Sequence, residues 1–321
     1  MDKSKYLKRI FSEYWKYLAL NAACKLNLFD CLAEKPKNSS EISEELSLNN
    51  EYLVLLLNAL TEEGFLQKSG EKYIINETSD LLTEDNPESL KYACMNWADE
   101  HMDSWQELDY SIKSGKPAFN NIFGDNFFNY LSKDEKKLEK YHKAMNEYAR
   151  DDYRDIGIKT DFSMYASVMD VGGGYGALIN RIKKSYPRIK CYLFDLPLVV
   201  KNAGASKVTK IAGDFFHSIP KIADALILSR VLHDWDDDKC NLILSNCAKA
   251  MDKNSDLYII ENCKAKNDHS LSLLSINQKL LCNGFERSFV DHKTLVEGKG
   301  FVFEQKIKLN DLQTILKFKK L

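Results

Sequence analysis

The residues best suited to chemistry begin at Asp170-Val-Gly172-Gly-Gly174-Tyr-Gly176, a glycine-rich turn that follows one apolar run and opens a helical segment. Glycine there lets backbone and ligand approach where a side chain would clash. Two more carboxylates stand at the ends of the next apolar runs. Asp195, with Leu196 beside it, comes 25 residues after Asp170, where an acid can take both hydroxyls of a ribose. Gly213-Asp214-Phe215-Phe216 ends the third run and offers a carboxylate for an adenine amino group and a ring to stack on it. Together, Asp170, Gly172, Gly174, Asp195, Leu196, Gly213, Asp214 and Phe215 describe an adenosine site at strand ends. A pyrophosphate prefers GxGxxG with its charge on a helix N-terminus. Here the loop is GxGxG preceded by an acid, which repels a phosphate and suits a cationic sulfonium. The spacing therefore favours S-adenosyl-L-methionine, with S-adenosyl-L-homocysteine as its product, over NAD.

One histidine has a comparable context. His233, in Ser229-Arg230-Val231-Leu232-His233-Asp234-Trp235, follows an apolar run near the cofactor motif, and four of the next five residues are acids. His101, His142, His217, His269 and His292 lack such surroundings and read as surface or packing residues. Asp236, Asp237 and Asp238 read as the cap and first-turn charges of the next helix. No His/Cys cluster has ligand spacing, so no metal is expected.

The elements that must carry these residues follow from periodicity. Val168–Val171, Cys191–Phe194, Val208–Ala212, Ala225–Leu228 and Leu257–Ile260 are short apolar runs separated by helical segments such as 176–186 and 237–251. Such alternation specifies a parallel, doubly wound, Rossmann-like α/β sheet covered on both faces. The stretches 301–308 and 312–318, around Asn310-Asp311, predict a terminal antiparallel hairpin. Ahead of this domain, residues 5–26 read as an apolar-rich helix. A Ser39-capped helix, a second helix over 51–63 ending at Gly64, and a two-stranded wing over 67–76 follow, making a winged-helix unit. Between them, 90–155 is helical and dense in aromatic residues, read mainly as core packing between two domains. The expected domains are 1–90, 91–155 (linker and substrate-pocket helices) and 156–321 (cofactor binding), in keeping with a chain of 321 residues.

Charge limits the partners. With 45 Lys and Arg against 47 Asp and Glu, the chain offers no broad attraction to polyanions. Residues 1–90 hold ten basic against sixteen acidic residues, and 49–63 has no base at all. The winged helix therefore reads as a homodimer interface, formed by the apolar first helix and its neighbours, and not as a nucleic-acid reader. No stretch reaches the roughly 20 apolar residues of a membrane span. Eight cysteines without a CxxC pair indicate free thiols and a cytoplasmic location.

These residues resemble the S-adenosylmethionine-dependent O-methyltransferases of the plant caffeate and bacterial polyketide or phenazine type. The resemblance spans nearly the whole chain. It is most specific at Ser229–Asp237 and at Gly284-Phe285-Glu286-Arg287-Ser288, which is similar to the family's Gly-x-Glu-Arg-Thr. It implies that His233 is the general base, that Glu261 and Glu286 flank it, and that Arg230 stands near the cofactor. It places Met145 and Trp105 on the substrate pocket. The helix before Gly284 departs from the family pattern, carrying Asn277 and Gln278 where relatives have an acid and often Met. Asn277 is thus expected to meet a different acceptor. The chemistry agrees: methyl transfer chiefly needs alignment of donor and acceptor, and a phenol of pKa near 10 needs a base such as a neutral histidine near 6.5. The implied function is O-methylation of an aromatic or polyketide-like metabolite. Methylation at nitrogen, sulfur or carbon, a non-methylating reaction, and a metabolite-binding regulator remain as alternatives.

Overall fold

Alternation along the strands after residue 166 decides the main layer. In β3 (Ser167–Val171) and β6 (Ala225–Ser229), Val168, Ala225 and Ile227 face one core, while Met169, Leu226 and Leu228 face the other. Helix Ala177–Ser185 packs Leu178, Ile179 and Ile182 on the first face. Helix Asp237–Lys249 packs Ile243 and Leu244 on the second. With β4 (Lys190–Asp195), β5 (Thr209–Ala212), β7 (Asp256–Asn262), β8 (Phe301–Lys308) and β9 (Gln313–Lys320) the sheet has order β5-β4-β3-β6-β7-β9-β8. It is parallel from β5 to β7, and the β8–β9 hairpin is antiparallel. The chain runs outward from β3 through β4 to β5, then returns to lay β6 on the other side of β3. That reversal creates a crevice beyond the carboxyl ends of β3 and β6, where doubly wound sheets bind ligands.

The computed structural model describes residues 2–204, 207–263 and 271–321; His269 lies outside them. The chain forms two compact units, Met1–Asp99 with Lys143–Glu147, and Glu100–His142 with Tyr148–Leu321. Residues 91–155 are thus shared between the two units. The aromatic-rich stretch packs within the second: Phe119, Phe127, Leu131 and Leu138 cluster with Val199 and Leu281.

In the first unit, helices Ser39–Leu46 and Asn50–Glu62 precede β1 (Leu66–Ser69) and β2 (Lys72–Ile75), an antiparallel wing. The first of these helices is capped by Asn38, not by Ser39. Asn38 Oδ1 accepts the Glu41 N–H at 2.9 Å, and the Glu41 carboxylate accepts the Asn38 N–H at 2.7 Å, a reciprocal box that fixes the start one residue earlier. Helix Lys3–Lys25 leaves an apolar stripe outward, with Phe11 68% and Trp15 63% exposed between Leu7 and Leu18.

Candidate active site

The glycine turn leaves β3 in conformations that favour glycine. Gly172, Gly174 and Gly176 have φ of +74°, +56° and +86°. Asp170 is buried beneath the turn, its Oδ2 only 2.6 Å from where a Cβ on Gly173 would sit. That oxygen has no partner among the described residues, and burial, with Asp195 nearby, pushes the carboxyl up to about 7. Asp195 ends β4 and is oriented by two backbone donors, Gly174 N–H at 2.8 Å and Leu196 N–H at 2.7 Å. Burial raises it to about 6, against the pull of those two bonds. Phe215 lays its ring edge 3.3 Å from the Cβ position of Gly172, so it borders the same cup. Asn246 holds that segment by donating to the Phe215 and Phe216 carbonyls at 2.9 and 3.1 Å.

Two further sequence-predicted residues have local partners. Gly213 lies against the Phe194 ring, 2.4 Å from its would-be Cβ, so close packing explains this glycine. The Asp214 carboxylate caps its own turn through Phe216 N–H at 2.8 Å and meets His217 Nδ1 at 2.9 Å. A cup holding one unpartnered buried carboxylate oxygen at Asp170 and a second acid at Asp195 suits a group that brings hydroxyls and positive charge. It disfavours a pyrophosphate, whose charge would face both acids.

Beside the glycine turn, the neighbouring strand β6 ends in the histidine segment, whose Val231 side chain lies 2.9 Å from the Cβ position of Gly172. Arg230 takes φ +52°, rare for a side-chain-bearing residue, and turns the chain sharply. Its guanidinium bonds Asp152 at 2.9 Å. Beyond the turn, the Val231 and Leu232 N–H groups converge on Oε1 of Glu261 at 3.0 and 2.9 Å. The ring of His233 is held by the other acid: Nδ1 lies 2.8 Å from Glu286 Oε1. Asp234 stands 3.5 Å from Nε2, and Gln278 Nε2 lies 3.4 Å from Nδ1. A carboxylate on Nδ1 fixes the proton there and leaves the Nε2 lone pair as the basic site. Burial pulls His233 down, but Asp234, Glu261 and Glu286 outweigh it and raise the ring to about 9. Three carboxylates around one imidazole thus hold the ring above the ordinary histidine range.

Two residues of the Gly284–Ser288 stretch carry more of the site than their sequence suggests. Arg287, 1% exposed, donates to the Leu232 carbonyl at 2.7 Å and the Trp235 carbonyl at 2.8 Å, and pairs with Asp237 at 2.7 Å. It thereby staples both ends of the turn that bears His233. Gly284 packs directly on that turn, where a Cβ would sit 2.0 Å from the His233 carbonyl oxygen. Asp236 caps the following helix through Lys239 N–H at 3.0 Å, and Asp237 and Asp238 lie in its first turn.

The predicted acceptor-side residues separate. Trp105 Nε1 donates to Asn277 Oδ1 at 2.9 Å, joining helix Glu100–Gln106 to helix Ser272–Cys282, and the latter also carries Gln278 to His233. Met145 falls in the short segment that belongs to the first unit. Of the remaining histidines, His101 and His292 are buried and His217 is exposed on Asp214, whereas His142 sits against the glycine turn. That position could not be inferred from its neighbours in sequence.

Residues 105–302 match the O-methyltransferase domain, and residues 9–85 match the O-methyltransferase dimerisation domain. The chain is 28% identical over 313 residues to the phenazine O-methyltransferase PhzM of Lysobacter antibioticus, covering 94% of this chain and 92% of that protein. Among solved structures it is similar to LaPhzM, with a TM-score of 0.96, 27% identity and full coverage of both chains. It is also similar to human N-acetylserotonin methyltransferase in complex with SAM, with a TM-score of 0.90 and 26% identity over 100% of this chain and 98% of that one.

Proposed function

This chain belongs to the O-methyltransferase family and is an S-adenosylmethionine-dependent enzyme, and we propose that His233 is the base that deprotonates a hydroxyl of a small aromatic or polyketide-like acceptor. When bound, S-adenosylmethionine supplies a methyl carbon made electrophilic by its positive sulfur. Asp195 would receive the ribose hydroxyls, Phe215 would border the adenine, and the Asp170 carboxylate would favour the positive charge. Gly172 and Gly174 would leave the space, and Leu196 and Gly213, next to Asp195 and Asp214 in sequence, are read as cofactor-binding positions with them. Asp214 and Arg230, which pair with His217 and Asp152, are likewise read as cofactor-binding residues.

The observation that carries the base assignment is the Glu286–His233 pair beside the cup. Glu286 orients the ring and stabilises the imidazolium formed when Nε2 takes the acceptor's proton. Glu261 acts through the backbone it holds and through its charge. Trp105 and Asn277 are read as acceptor-pocket residues, and the phenazine and N-acetylserotonin relatives support an aromatic acceptor. Residues 1–90 serve dimerisation, 91–155 supply pocket helices and 156–321 bind the cofactor. The exposed stripe on Lys3–Lys25 supports a homodimer. No helix among the described residues is long and apolar enough to cross a membrane; the free cysteines favour a cytoplasmic location.

The test is His233→Ala. Turnover of an accepted phenol falls by several orders of magnitude, the affinity for S-adenosylhomocysteine holds, and the wild-type product gains one methyl mass. Unchanged turnover in the variant would remove the base from the mechanism.

A further inference from the structure

His142 stands on helix Glu135–Asp152, nowhere near the glycine turn in sequence, yet its ring covers the apex of that turn. Nδ1 lies 3.3 Å and Cε1 3.8 Å from where a Cβ on Gly174 would sit. The N–H of the same Gly174 donates to Asp195 Oδ2 at 2.8 Å. One residue of the turn is therefore shared between the acid read as the ribose acceptor and an imidazole. Two rings fix the imidazole: it stacks on Tyr175 at 4.9 Å with 22° between planes, and meets Tyr141 edge-on at 5.3 Å and 77°. Neither ring nitrogen has a hydrogen-bond partner among the described residues. Burial pushes His142 down to about 4, so at neutral pH the ring offers one donor and one acceptor and no charge. A packing role uses the ring's faces and leaves these nitrogens unexplained.

We propose that His142 is a cofactor-binding residue, its imidazole hydrogen-bonding the polar edge of the S-adenosyl group received by Asp195. The inference rests on the reading of Asp195 as the ribose acid. An uncharged ring suits this place, because a second cation at the turn would oppose a sulfonium.

Calorimetric titration of the full chain with S-adenosylhomocysteine tests it, alongside the melting temperature of each unliganded variant. His142→Phe keeps a ring to stack on Tyr175 and has no nitrogen; His142→Asn keeps a polar group near the Nδ1 position. The expected result is a roughly tenfold loss of affinity in H142F, the scale of one hydrogen bond, with H142N within about threefold of wild type. Wild-type affinity in H142F would overturn the proposal. Equal losses in both variants would also overturn it, since ring shape and not hydrogen bonding would then be the cause. Asp195→Asn separates the two readings: if it binds normally the ribose assignment fails, and if only H142F binds normally this inference fails alone.

Discussion

Adding one methyl group at Gly284 provides a sharp test of how the base is held. A Cβ there would sit 2.0 Å from the His233 carbonyl oxygen, 2.4 Å from Asp234 C and 2.7 Å from Asp234 Cα. All three atoms are backbone, so no side chain can swing aside. Ordinary contact begins near 3.4 Å, and the two segments must part by about 1.4 Å, the difference between 3.4 and 2.0. The 2.8 Å bond from Glu286 to His233 and the 2.7 and 2.8 Å bonds from Arg287 to the turn cannot all survive that separation. Misplacement of a reacting group by about 1 Å costs on the order of a hundredfold in rate, while overpacking of this kind costs about 1–3 kcal/mol of stability. Gly284→Ala should therefore lower kcat about a hundredfold and lower Tm by several degrees. The affinity for S-adenosylhomocysteine should stay within about threefold, because the glycine turn and Asp195 are carried by the ends of β3 and β4 and not by the segment that Gly284 touches. Steady-state rates with a labelled methyl donor, calorimetry and a melting curve give the three readings. Turnover within threefold of wild type would refute the claim that contact at Gly284 positions His233.

Two other outcomes follow. His233 is raised to about 9 by Asp234, Glu261 and Glu286, so the basic form grows as pH rises, and kcat/KM should climb between pH 7 and about 9. Asp234→Asn removes one raising charge and should move that rise to lower pH; a flat wild-type profile from 7 to 9 would contradict the assignment. Light scattering should give twice the 36.9 kDa chain mass for the wild type and the single-chain mass for Phe11→Glu combined with Trp15→Glu. A wild type already at the single-chain mass would exclude dimerisation through this stripe.

The parallel sheet, its terminal hairpin and the glycine turn were legible because each rests on short-range rules. Apolar runs alternate with helical periods, and a turn with three positive-φ residues demands glycine. The cap at Asn38 was less so: Asn38, Ser39 and Ser40 can all cap, and the reach of Glu41 back to Asn38 settles the choice. The partner of His233 depends on convergence in space, since Glu261 and Glu286 are both acids near the same turn, and only one meets the ring. The shift of that ring has the same origin, being the sum of charges from three separate elements. The place of His142 follows from how helix Glu135–Asp152 crosses the turn, which no local pattern encodes. Gly284 and Arg287 were visible as a motif, but the backbone carbonyls they serve belong to residues 50 or more positions away.

The bond from Trp105 to Asn277 spans 172 positions of the chain. Exchange of either partner alone strands a donor or an acceptor inside the protein, a cost of about 1–3 kcal/mol. Descendants that take on a new acceptor are therefore expected to alter these two positions as a pair, and a library that randomises them together should yield active, stable variants that single-site libraries never reach.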